Sequence, residues 1–233
     1  MKKFYRTVAV EPRAGGFAVL LDGKPVRTPA GRPMLAPTAA LAERIAAERR
    51  GQRDRVRPDT MPLTQLLNIA LDRMSQDKVR AAAVAEIAGY AATDLVCFRA
   101  PHPPALAQRQ REAWQPLLDW LAERHGAELA VTEGLAAPSQ APAALARIAA
   151  AVAGRDALRL AALQLAAGAL GSVVIALALA DGRVDAEAAF RAAHLDDLHQ
   201  MEEWGEDAEA KARLERIRAD VAAAAEFMRL AVA

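Results

Sequence analysis

The rhythm of apolar and polar positions changes once along this chain, near residue 38. Before that point apolar residues come in short runs separated by turn chemistry. Residues 5–10 predict a first strand, closed by Glu11-Pro12 and a turn over Ala14-Gly15-Gly16. Residues 17–21 and 24–28 flank Asp22-Gly23. An Asp-Gly pair between two such runs predicts a tight hairpin, because a type I′ turn needs positive φ at both central positions. Pro25 has no N–H to give a ladder, so its strand belongs at an edge. Pro29, Pro33 and Pro37 then punctuate the chain, and the whole reads as a small antiparallel sheet.

From Thr38 onward the spacing is helical. Thr38 stands as the N-cap of a helix with Leu41 and Ile45 on one face, and Gly51 stands where that helix ends. Residues 53–62 are polar and proline-bounded, which predicts a linker. Helices follow over 63–74, 77–91 and 106–125, the last stopped by Gly126, with a short strand over 129–132. Pro138 and Pro142 break the chain again. Further helices are predicted over 143–152, 156–180, 185–204 and 207–230, with Asp156, Asp185 and Asp207 as N-caps and Gly182 as a stop. The pattern is that of an α+β protein: a β-rich region with one helix over 1–58, then a helical region over 59–233.

Residues 160–180 are apolar apart from Gln164 and Ser172, a run long enough to cross a bilayer. About half of it is Ala and Gly, which add little transfer energy, and Arg159 and Asp181 border it closely. A central buried helix is expected, not membrane insertion.

Composition narrows the function classes. The net charge is +1 and aromatics are 4% of the chain. That balance gives neither the basic field nor the stacking platforms that nucleic-acid binding uses. Cys97 is the single cysteine, so the fold does not rest on an internal disulfide. Met1-Lys2-Lys3-Phe4-Tyr5-Arg6 is basic, but no apolar run follows, so a cleaved secretory signal is not expected.

Catalytic equipment is sparse. His194 and His199 are five apart and cannot share a metal as an i, i+4 pair would. His102 lies between prolines, and His125 suits the C-terminal end of a helix dipole. No glycine-rich phosphate loop is present. Gly168 and Gly171 read as points of close helix–helix approach, and Cys97 reads as a small core residue.

Three stretches stand out. Residues 90–99 set Asp94 and Arg99 about an apolar run, where Asp94 either caps a helix or pairs with Arg99. Residues 109–118 place Arg109, Trp114 and Leu117 on a helix carrying Pro116; Trp and Arg are the types that anchor interfaces. Residues 196–207 hold six acids around Trp204-Gly205, where one helix stops and another starts.

These stretches resemble the assembly chaperones of the F1 sector of ATP synthase that hold its alpha subunit. The likeness runs almost end to end. It takes in Lys3-Phe4-Tyr5, the run Leu21-Asp22-Gly23-Lys24-Pro25-Val26-Arg27-Thr28-Pro29, and Thr60-Met61-Pro62-Leu63-Thr64 with Asn68 and Asp72-Arg73. It continues through Tyr90, Thr93-Asp94-Leu95, Cys97-Phe98-Arg99, Arg109-Gln110, Trp114 and Pro116-Leu117-Leu118, and ends on Gln200, Trp204-Gly205 and Asp207. Arg49 departs from the family pattern, which has tryptophan after the Glu48 position.

The resemblance implies a non-enzymatic role without cofactors: binding free alpha subunit and shielding the surface that later meets beta. It also implies two domains, and a bacterial, cytoplasmic setting for a chain without a transit-type leader. The motif match together with the clustering of polar groups around a tryptophan makes the acidic turn the expected contact surface: Asp196, Asp197, Gln200, Glu203, Trp204, Glu206 and Asp207 first, then Asp94, Arg99, Arg109 and Trp114. Two rivals remain open on the residues alone: a small-molecule enzyme built on Asp94, Arg99 and the acidic turn, and a permanent scaffold subunit.

Overall fold

The structure, a computed structural model, describes residues 2–134, 136–205 and 207–232. Its sheet is built on one apolar strand. β2 (Gly16–Leu21) is buried along most of its length and pairs antiparallel with β1 (Val8–Arg13), Val10 opposite Val19. Its other edge is shared end to end. β3 (Lys24–Pro25) pairs with Leu20 and Leu21, and β4 (Leu35–Ala36) with Phe17 and Ala18. Asp22 and Gly23 make the turn with φ of 48° and 78°, the positive values the pair was expected to supply. β1 starts three residues later than the sequence suggests. The N–H groups of Arg6 and Thr7 donate to the Asp22 carboxylate instead of to a strand.

α1 (Ala39–Arg50) begins at Thr38, whose Oγ1 accepts from Leu41 N at 3.1 Å. It lays Leu41, Ala42, Ile45 and Ala46 against β1 and β2. The run read as a linker is tied down: Gln52 accepts from Arg57 N at 2.7 Å and donates to Thr60 Oγ1 at 3.0 Å. α2 (Pro62–Asp72) is capped from outside its own segment, because Glu48 accepts from Leu63 N, Thr64 N and Thr64 Oγ1.

Beyond lie α3 (Asp77–Gly89), α4 (Pro104–His125) and α5 (Pro142–Ala153). They are followed by α6 (Ala157–Leu170), α7 (Val173–Ala180), α8 (Ala186–Ala193), α9 (Leu195–Trp204) and α10 (Ala208–Leu230). The predicted strand at 129–132 is reduced to a single parallel bridge from Phe98 to Thr132. Pro116 does fall inside α4, on its exposed face, where water can take the carbonyl the missing N–H leaves open.

Two predicted helices are each split. Residues 156–180 break at Gly171, whose φ of 63° ends α6, and Ser172 restarts the chain by capping Ile175 N at 3.0 Å. Residues 185–204 break at His194, between α8 and α9. Gly168 is exposed with open space about it, so the close approach expected there is not what it provides. α7 is apolar all round and buried over residues 173–179, but at eight residues it is about 12 Å long. Among the described residues no helix is long and apolar enough to cross a membrane.

The chain forms two compact units. One holds residues 1–80, 156–162 and 226–233, with the sheet, α1 and α2; the other holds 81–155 and 163–225. In the second unit α7 packs against α4 and α8, and α4 also meets α9. That arrangement brings residues 94–114 to residues 192–204.

Candidate functional site

Asp94 follows a 3-10 turn over Tyr90–Thr93 and is wholly buried. It caps rather than pairs. One carboxylate oxygen accepts from Val96 N, in its own 3-10 turn Leu95–Cys97, at 3.2 Å, and from Ser172 Oγ at 2.6 Å. The other accepts from Val174 N at 3.1 Å, in the first turn of α7. Burial pushes its pKa up to about 6, against the pull of those hydrogen bonds. The neighbouring Cys97 thiol is pushed up to about 12, by burial first and by Asp94 second, which leaves it protonated and inert as a core residue.

Arg99 turns away from Asp94. Its Nη1 donates to the carbonyls of Val96 and Phe98, and its Cζ lies 5.2 Å from the Trp114 ring centroid. Trp114 is 3% exposed and donates from Nε1 to Ala192 O at 2.8 Å, fastening α4 to the end of α8. Gln110 is buried between them, accepting from Ala100 N at 2.7 Å and donating to Asp196 Oδ1 at 2.8 Å. These side chains line a cleft of about 640 Å³. Asp94 is thus an interior cap that makes no pair with Arg99, while Arg99 and Trp114 are largely buried side chains that line the cleft.

The acidic run divides by what each side chain does. Asp196 orients Gln110. Asp197 bridges His194 Nδ1 at 3.1 Å and Arg213 at 2.9 Å, linking α9 to α10. Asp207 caps α10 through Ala210 N at 2.9 Å. Gln200, Glu203 and Trp204 are exposed on the last turns of α9, which Gly205 ends at φ 92°. Trp204 is 81% exposed. Glu206 lies outside the described residues.

Glu202 belongs to this surface and was not among the residues singled out from sequence. It pairs with Arg109 at 2.5 Å, and the Arg109 hydrogen bond lowers its pKa. The partner lies 93 positions away, beyond the reach of any periodicity. Beside the pair runs a second groove, about 660 Å³, floored by Ala113, Leu117, Ala188, Leu195 and Leu198. Among the described residues no cluster of three His, Cys, Asp or Glu side chains is placed to hold a metal ion.

A model of one family, described as "ATP12 chaperone protein", matches residues 2–122. "Protein atp12, mitochondrial" of Schizosaccharomyces pombe is 25% identical over 215 residues, 88% of this chain and 74% of that one. The crystal structure of Atp12 from Paracoccus denitrificans is similar at a TM-score of 0.91 and 36% identity, over 99% of this chain and 98% of that one. The Atu1473 protein of Agrobacterium tumefaciens is similar at 0.90 and 38%, over 98% and 85%.

Proposed function

The chain belongs to the ATP12 chaperone family, assembly chaperones of the F1 sector of ATP synthase, and we propose that it binds the unassembled alpha subunit in the bacterial cytoplasm. It acts by binding, not catalysis. It covers the surface that alpha later presents to beta, and beta displaces it. A ring subunit without its neighbours exposes apolar interface that associates wrongly unless covered.

The observation that carries the contact surface is Trp204. The other described tryptophans are buried or partly so, whereas Trp204 stands 81% exposed at the end of α9, next in the chain to the exposed Glu203. An indole left in water is the type of group that anchors an interface and gains most from a partner. Gln200 and Glu203 supply polar contacts around it. Asp196, Asp197 and Asp207 hold the turn in shape through the bonds they already make.

Co-expression with the alpha and beta subunits, followed by capture of this chain, tests the reading. Alpha without beta is the expected catch. Trp204→Ala and Glu203→Lys are expected to lose alpha, with affinity down at least about tenfold for the indole, at an unchanged thermal midpoint. Recovery of no alpha by the intact chain overturns the function. Undiminished alpha binding by both variants overturns the surface. Asp197 is a poorer target, since its reversal also breaks the tie to Arg213.

A further inference from the structure

A guanidinium taken out of water needs a counter-ion or a full set of acceptors. Arg99 has neither. It is 6% exposed, it donates from Nη1 only, and its Nη2 has no hydrogen-bond partner. Burial lowers its pKa, and the charged groups acting on it include Arg111 but no carboxylate. The Trp114 face attracts the cation but accepts no conventional hydrogen bond from a second nitrogen. An unpaired buried charge weakens the fold that holds it, and an acceptor supplied from outside would satisfy the open Nη2.

The cleft around Arg99 states the chemistry of that partner. Leu95, Phe98 and Trp114 form apolar walls, Arg99 forms the buried end, and Glu133 and Asp196 are exposed at its lining. One cation inside faces two carboxylates outside. A free multivalent anion is repelled by the two acids. A protein segment fits when it carries one carboxylate on an apolar stem, followed by a basic residue. Resting on the reading that this chain grips a client protein, we infer that the cleft receives an acidic side chain of that client. Arg99 takes the carboxylate, and Glu133 and Asp196 take an adjacent Lys or Arg. The acidic turn and the cleft then form two separate holds on the same client.

Two measurements test this. In the first, the intact chain is titrated with N-acetylglutamate amide and, in parallel, with N-acetylglutamine amide, following the Trp114 indole N–H resonance. A saturating shift with the acid and none with its neutral isostere is expected. Equal responses, or none with either, overturn the cleft. In the second, the affinity of Arg99→Met for alpha is expected to fall at least about tenfold while Arg99→Lys falls less. A folded Arg99→Met that binds alpha like the parent overturns the inference. Should Arg99→Met fail to fold, the titration of the intact chain decides alone. Should the intact chain bind no alpha, the chaperone reading falls, and the titration still decides the cleft.

Discussion

Asp94→Ala removes one residue and uncouples two. The carboxylate accepts from Val96 N, Ser172 Oγ and Val174 N, all in a dry interior. Each buried donor left without an acceptor costs about 1–3 kcal/mol. Removing the charge returns part of that, because the ionised form is itself disfavoured by burial. The expected net loss at pH 7 is about 3–5 kcal/mol. The pH dependence gives a sharper test. The pKa of Asp94 is about 6 in the folded chain against an ordinary 3.8, so the folded state holds its proton more tightly. This stabilisation is full below 3.8 and lost as pH rises through 6. Between pH 7 and pH 5 the parent therefore gains about 1.4 kcal/mol from this group, and the variant gains nothing. Urea unfolding of both chains at the two pH values measures the gap between them. A gap that stays constant or narrows at pH 5, or falls below about 1 kcal/mol at pH 7, refutes the assignment of Asp94 as a buried double cap.

Two glycines three residues apart should respond with opposite sign. Gly171→Ala places a side chain at φ 63° and should destabilise by about 1–2 kcal/mol, although its Cβ meets Leu95 only at an ordinary 3.7 Å. Gly168→Ala, helical and open, should stabilise by about 0.5–1 kcal/mol in the same urea series. Arg49→Met should stabilise by about 1 kcal/mol on thermal unfolding, because burial lowers the Arg49 pKa and its buried Nε lacks a partner. The Tyr5 hydroxyl loses nothing there, since it donates to the backbone oxygen. Asp181→Asn should cost about 2–3 kcal/mol, for Asp181 pairs with Arg155 at 2.5 Å with both side chains mostly buried. Burial pushes the Asp181 pKa up, but Arg155 pulls it below 3.8, so this stabilisation is present above 3.8 and lost as pH falls through the lowered value; the variant should lack that acid limb.

What the sequence made legible was local. Asp22-Gly23 announces its turn by backbone preference alone, and Thr38, Asp156, Asp185 and Asp207 announce helix starts by the oxygen each supplies. β4 was illegible because two residues between prolines become a strand only by meeting Phe17 and Ala18, far upstream. The break at residue 171 was written as Gly171-Ser172, a stop followed by a cap, but continuous apolar character concealed it. His194 carries no breaker chemistry at all, so the second split had no signal. For the candidate site, motif order pointed to three stretches but could not say which of their side chains are buried. Burial decides whether Asp94, Arg99 and Trp114 meet solvent, and burial depends on α7 and α8, roughly 80 residues later.

The capping of α7 by Asp94 has a consequence for synthesis. Asp94 leaves the ribosome 78 residues ahead of Ser172. At about 5–20 residues per second the interval is on the order of 10 s. Throughout it the Ser172 and Val174 donors that the Asp94 carboxylate meets in the folded chain do not yet exist. Arrival of α7 supplies them, and the helix gains its first-turn acceptor. The cap that joins residue 94 to α7 is therefore completed only after residues 172–174 have been made.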